Sequence, residues 1–484
     1  MSNEATYIGH KGYTIYKNCL ELEDQKFIRK SLTVRPHIPK SPVQPPEFPI
    51  YRENSNKIYV PKYFGIEHFG EPDDYKNSNG DDINVVFKAT LRDYQVKIVD
   101  EYLKKTTNSY GGGGLLDIPC GFGKTAMGLN IISRLKKKTL VIVHKGFLLN
   151  QWIDRIEEFL PGARVGTIQG QIIDIDEKDI VIGMLQSLSM KDYPDDIFSS
   201  FGLTIVDECH HISSEVFSRS LSKIVTRYTL GLSATMDRKD GLSHVFKMFL
   251  GEVAYKMERD TEDKVLVKCI EYISDDRDFE EVVYDYRGNP QYSSMITKIC
   301  DYNHRTEFII RVLVDELKEN PDQQIMILGQ NKSILKYIYD AIEHRNISTV
   351  GYYVGGMKEV ALKSSETKTV VVATYAMAAE GLDIKTLRTL FLVTPRTDIT
   401  QAVGRILRVK HDRPMVVDFV DTHQMFKNQQ KKRLTFYRKN NYTIMETNSK
   451  RYLQDEWDNI STRRGKKTTK NSKPETPRKC LVNL

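Results

Sequence analysis

From residue 89 onward the chain alternates short, continuously apolar runs with amphipathic segments of helical period. This alternation constrains the fold more than any single motif. The first series reads "GLLDIP", "TAMGLNIISRL", "TLVIVH", "FLLNQWIDRIEEFL", "DIVIGML", "LTIVDE" and "TLGLSAT". A second begins near residue 260 with "KVLVKCIEYI", "TEFIIRVLVDELKE", "QIMILGQ", "STVGYYVG", "TVVVATY", "TLFLVTP" and "MVVDFVD". A strand apolar on both faces has to be covered on both, and parallel strands need a crossover long enough to hold a helix. The pattern predicts an α/β protein with two tandem doubly wound parallel-sheet domains, 89–257 and 258–445, joined around 250–260.

The flanks read differently. Residues 1–88 are rich in Tyr and Pro ("SLTVRPHIPKSPVQPPEFPIY", "KIYVPKYFGIEHFG"); proline interrupts any helical period, and a small, partly β accessory domain is expected. Residues 446–484 read as a basic, disordered tail. Its stretch 463–479, "RRGKKTTKNSKPETPRK", holds eight basic residues and one acidic, which equals the +7 of the whole chain. The body is therefore near neutral, so nucleic-acid binding there has to come from local patches. With 40% hydrophobic and 28% charged residues, and no apolar run near the ~20 residues that span a bilayer, the chain reads as soluble and free of membrane contact. "MSNEATYIGH" reads as lacking the charged and apolar regions of a signal peptide. Six scattered cysteines with no C-x-x-C pair point to a reducing, intracellular compartment and away from disulfides or structural zinc.

"LLDIPCGFGKTAMGLNII", residues 115–132, is a strand, a glycine turn and a helix. In the loop Pro119, Cys120, Gly121, Phe122, Gly123, Lys124 and Thr125, the glycines let backbone N–H groups face phosphate oxygens. Lys124 reaches the terminal phosphates, and Thr125 offers a hydroxyl to Mg²⁺. Ile118 stands where the strict phosphate-loop pattern has its first glycine. A bare G-K-T also describes an ordinary helix start; the strand before and the helix after favour the phosphate site.

That loop settles how to read "IVDECHH", residues 205–211. The carboxyl end of a parallel strand faces the ligand edge of its sheet. Asp207 is then placed for Mg²⁺ and Glu208 for the attacking water. Two histidines and one cysteine offer no second half of a zinc site. Cys209 is assigned to packing; His210 contacts the phosphate machinery or couples the two domains.

The motif series over 91–413 resembles that of superfamily 2 helicases, and the resemblance implies RecA-like domains, ATP and Mg²⁺ as cofactors, and a nucleic-acid substrate. "LRDYQ" resembles the motif whose glutamine reads adenine, giving that role to Gln95 with Arg92 nearby. "VIVHKGFLLNQW" resembles motif Ia, so His144 and Lys145 would touch the strand backbone, while Trp152 reads as core. "IGMLQSL" offers Gln186 and Ser187 as further strand contacts. "GLSATMDRKDG" resembles motif III, with Ser233 and Thr235 coupling the domains. In "VVATYAMAAEGLDIK", Thr374 would contact backbone phosphate, and Glu380, Gly381 and Asp383 would sense nucleotide. "QAVGRILR" resembles motif VI: Gln401 would face the nucleotide, with Arg405 and Arg408 reaching the γ-phosphate from the other domain.

"PCGFGKT", Arg238-Lys239-Asp240 and "QAVGRILR" are similar to the XPB group and to the transcript-release DNA helicases of poxviruses and other large DNA viruses. Lys239 stands where the XPB element has Glu. This implies an ATP-dependent DNA helicase or translocase in transcription or repair, with RNA polymerase or other transcription machinery as partner and a virion or host-cytoplasm setting. An RNA helicase and a translocating subunit of a restriction-type complex stay open, and the nucleotide cleft is expected to be complete in a monomer.

Overall fold

The computed structural model describes residues 5–37, 44–119, 121–194, 196–209, 214–234, 241–257, 264–380, 384–407, 409, 411 and 413–461. Each apolar series forms one eight-stranded sheet. In the first lobe the order is Ile172–Ile173, Val165–Gln169, Ile180–Met184, Thr139–Val143, Leu203–Asp207, Tyr228–Ser233, Gly112–Asp117 and Val253–Lys256. In the second it is Val350–Tyr353, Val370–Thr374, Gln324–Gly329, Leu387–Leu392, Met415–Asp421, Leu266–Tyr272, Thr443–Asn448 and Asp458–Asn459. All pairs are parallel except one terminal pair in each sheet. The strands carrying the phosphate loop and the acid pair are separated by one strand, Tyr228–Ser233.

Alternation along the strands shows why the runs had to be apolar throughout. Leu140 and Ile142 enter one core while Val141 and Val143 enter another on the opposite face. Ile325 and Ile327 in the second lobe likewise oppose Met326 and Leu328. Burial on both faces is what a parallel sheet with crossover helices demands. The doubly wound expectation holds for both lobes. No helix among the described residues is long and apolar enough to cross a membrane. The lobes touch where Asn150 Nδ2 donates to Glu359 Oε2 (2.8 Å).

The N-terminal region forms a five-stranded sheet, ordered Arg52–Glu53, Lys57–Val60, Gly12–Tyr16, Thr6–Gly9, Asp74–Tyr75. Its core is continuous with one face of the first lobe: Ile8, Tyr13, Ile15 and Phe64 share a cluster with Leu140, Val181 and Val206. Lys62 fastens the junction. Its buried ammonium donates to the carbonyls of Arg227 (2.8 Å), Tyr110 (3.2 Å) and Thr226 (3.5 Å). Burial, then the charge of Arg227, pulls its pKa down to about 7.

One boundary needs correction. The tail expected from residue 446 does not begin there, because Thr443–Asn448 pairs with Leu266–Tyr272, and Asp458–Asn459 pairs with it in turn. Thr447, Ser449 and Ile460 are buried, so ordered structure extends at least to residue 461. The polar residues of "TIMETN" hid a strand that pairs in parallel with Leu266–Tyr272 and buries Ile444 and Thr447. The basic stretch 463–479 lies outside the described residues.

Candidate active site

Strand Gly112–Asp117 leads into the loop, and helix Lys124–Leu135 follows it. Gly121 (φ +89°) and Gly123 (φ +80°) both lie in the left-handed region, where a Cβ is penalised. At Gly123 space is short as well, since a Cβ would come within 2.4 Å of Gln95 Nε2. Gln95 is buried against the loop. Its Nε2 donates to the Phe122 carbonyl (3.0 Å), and its Oε1 accepts from Arg92 N (2.9 Å). Tyr94, one residue earlier, also donates to the Phe122 carbonyl (3.3 Å) and accepts from Arg92 Nη1 (3.2 Å). A cavity of about 190 Å³ opens here, walled by Phe87, Leu91, Arg92, Gln95, Phe122 and Phe159, with Phe87 and Phe159 stacked at 5.6 Å.

Lys124 Nζ lies 3.3 Å from Glu208 Oε1 and 3.4 Å from the Ile118 carbonyl. The structure thus brings together the lysine and one acid of the motifs 84 positions apart in the chain. Asp207, at the end of strand Leu203–Asp207, is held at both oxygens: Oδ1 accepts from Glu208 N and Oδ2 from Trp152 Nε1, each at 2.9 Å. Glu208 adopts φ +48°, uncommon for a residue of its kind and a local strain of the sort found at functional sites. Burial, and then the neighbouring Glu208, push the Asp207 carboxyl above the usual range. Two adjacent carboxyl groups at the strand end, one of them 3.3 Å from Lys124, offer oxygen ligands of the kind that suits a divalent cation. The Cys209 thiol is fully buried and pushed up to about 12, as packing rather than chemistry requires.

Ser233 is fully buried, with its carbonyl accepting from Ile118 N (2.9 Å), so it braces the root of the phosphate loop. His144 follows strand Thr139–Val143, and Lys145 opens helix Gly146–Phe159; burial lowers the Lys145 pKa. Gln186 Nε2 donates to the His144 carbonyl (3.0 Å), joining two of the expected strand contacts, while Ser187 Oγ accepts from Gly170 N (2.9 Å). In the second lobe Thr374 ends strand Val370–Thr374, and Gln401 and Arg405 share helix Thr400–Ile406. Arg405 is buried, and its Nε donates to the Ala378 carbonyl (2.8 Å), so the helix carrying it is bonded to the helix that follows Thr374. Cys120, His210, Thr235, Arg238, Lys239, Asp240, Gly381, Asp383 and Arg408 lie outside the described residues, as does the Glu380 side chain.

Sequence reasoning missed four contributors. Tyr94 carries a signal, adjacency to Gln95. Phe87 and Phe159 carry none, since they meet only in three dimensions. Trp152 was read as core; it is core, and its ring nitrogen also holds the acid.

Residues 88–238 match the family described as Type III restriction enzyme, res subunit. The chain is 36% identical over 459 residues to L396 of Acanthamoeba polyphaga mimivirus, provisionally named an ATP-dependent RNA helicase, covering 92% of this chain and 87% of that one. QP509L of African swine fever virus, provisionally named in the same way, is 28% identical over 386 residues, 74% of each chain. The crystal structure of T4 UvsW aligns over 89% of this chain and 96% of its own, at 18% identity and a TM-score of 0.34. Similarity to the mimivirus protein across most of both chains settles the family: the chain belongs to the superfamily 2 helicases, ATP-hydrolysing enzymes, together with helicases of large DNA viruses.

Proposed function

We propose that this helicase uses ATP to move along DNA, in transcription or repair. The observation that carries the catalytic part is the approach of Lys124 to Glu208 at 3.3 Å beside the oriented carboxylate of Asp207. In this reading Lys124 neutralises the terminal phosphates, and Glu208 orients and deprotonates the attacking water. The adenine enters the cavity beside Gln95, between Arg92 and the loop residues Pro119 to Thr125. Thr125 and Asp207 hold Mg²⁺, which when bound offsets phosphate charge. Arg405 and Arg408 approach the γ-phosphate from the second lobe, so hydrolysis depends on closure, with Gln401, Glu380, Gly381 and Asp383 sensing the nucleotide. Ser233, Thr235 and His210 couple that state to movement. His144, Lys145, Gln186 and Thr374 grip the strand through its backbone, which predicts little sequence preference.

The similarity of residues 88–238 to a restriction-enzyme subunit, and of the motifs to the XPB and poxvirus groups, supports DNA. The same match supports a translocating subunit that serves a nuclease partner. A second substrate reading, RNA, is favoured by the names given to L396 and QP509L. ATPase rates with duplex DNA, single-stranded DNA and RNA discriminate, with Lys124→Ala as control. Stimulation by DNA is expected; stimulation by RNA alone overturns the DNA assignment, and equal rates with no polymer overturn the motor.

A further inference from the structure

One side chain touches all three elements that the proposed motor must coordinate. Trp152 lies on helix Gly146–Phe159, which starts immediately after the strand-contacting turn of His144 and Lys145. At about 1.5 Å per residue the indole stands roughly 9 Å along that helix. It is 1% exposed, and its Nε1 donates to Asp207 Oδ2 at 2.9 Å. Its far ring edge lies against the phosphate-loop helix, since a Cβ on Gly128 would sit 3.4 Å from Trp152 Cη2. Upstream, the Gln186 amide holds the His144 carbonyl, so the start of the helix is tied to the second expected strand-contact motif.

We propose that Trp152 is a positioning residue that couples strand engagement to hydrolysis, its indole carrying movements of the Gly146–Phe159 helix to the Asp207 carboxylate. The proposal rests on the reading of Asp207 and Lys124 given above. Physically, the indole is a rigid plate with two rotatable bonds, clamped in a close-packed interior. A buried carboxylate oxygen that loses its donor is costly, so the acid follows the indole rather than parting from it. A displacement at His144 and Lys145 therefore reaches Asp207 through one side chain. Partners that orient a metal-binding carboxylate affect activity without touching substrate.

The test uses the full chain. Trp152→Phe removes the donor and trims the ring, so its stability is measured alongside its rates. The strand-stimulated kcat is expected to fall roughly 10- to 100-fold. KM for ATP should stay nearly unchanged, and the ratio of rates with and without oligonucleotide should fall toward one. A retained ratio overturns the coupling. A second measurement leaves Trp152 intact. The chain has two tryptophans, and Trp457 lies near the far edge of the second sheet, so Trp457→Phe makes Trp152 the sole indole emitter. Its emission is expected to shift when an oligo(dT), or oligo(rU) if RNA is the activator, is added without nucleotide. An emission spectrum indifferent to either strand also overturns the proposal, whether or not Trp152→Phe folds. Lys124→Ala and Glu208→Gln run in parallel separate the two failures. If both retain hydrolysis, the site reading is wrong; if both abolish it while Trp152→Phe keeps full stimulation, the coupling alone is wrong.

Discussion

The two lobes end comparable strands in comparable acids and use them in opposite ways. "LTIVDE" in the first and "MVVDFVD" in the second are both apolar runs closing on carboxylates. In the second lobe each acid is fully matched. Asp418 takes a two-pronged contact from Arg433 (2.8 and 2.9 Å) and the Tyr437 hydroxyl (3.0 Å). Asp421 takes a two-pronged contact from Arg305, whose Nη2 also reaches the Val393 carbonyl (2.9 Å). In the first lobe Asp207 accepts from two neutral donors, Trp152 Nε1 and Glu208 N, and Lys124 lies 3.3 Å from Glu208. The second-lobe acids are clamped by arginines as architecture; the first-lobe pair sits at a strand end beside the lysine of the glycine loop.

The sharpest way to break this contrast is to remove each kind of acid. Glu208→Gln should lower ATP turnover by about 10²- to 10⁴-fold, while Tm without nucleotide holds or rises, because one of two crowded carboxylates is gone. Steady-state ATPase and a thermal melt check it together. On the other lobe, Arg433→Met leaves Asp418 buried without a cation, and a loss of about 3–5 kcal/mol of stability is expected in denaturant titration. If Arg433→Met melts like wild type, Asp418 is not architectural and the comparison fails. Gly123→Ala tests the loop itself: left-handed backbone plus contact with Gln95 should cost about 1–2 kcal/mol, read as roughly a tenfold rise in KM for ATP.

The smallest effect concerns the N-terminal junction. Lys62 titrates near 7 in the folded chain and at its ordinary, higher value unfolded. Across that window the unfolded chain binds the extra proton, so stability rises with pH. The stability of wild type relative to Lys62→Met should therefore increase by about 1 kcal/mol from pH 7.5 to 8.5, measured by chemical denaturation at both values. A gap independent of pH would mean that its three carbonyl partners keep the ammonium charged throughout.

Much of this molecule is legible in its residues, and the illegible part has a common cause. Strands sandwiched between helices must be apolar throughout, so "TLVIVH" and "TVVVATY" announce themselves. Gly121 and Gly123 are legible because no other residue adopts that backbone at so little cost. Nothing in "MVVDFVD", however, tells its acids from those of "LTIVDE", since the arginines that neutralise them lie on other elements, 15 and 116 positions away. Trp152 meets Asp207 across 55 positions, and a ring counted as apolar gives no notice of its donor. The strand at 443–448 escaped because its two apolar residues, Ile444 and Met445, are too few among polar neighbours to announce a buried strand.

Strand Val253–Lys256 is the last described strand of the first lobe before the chain passes to the second, and it lies directly against the phosphate-loop strand. Lys256 stands opposite Asp117, and Met257 N donates to the Asp117 carbonyl (2.8 Å). Departure point and loop root are thus side by side, seven residues upstream of Lys124. Under the proposed reading, a displacement of Lys256 and Met257 is felt at the root of the loop that would hold the nucleotide, and a change there is felt back at the same place.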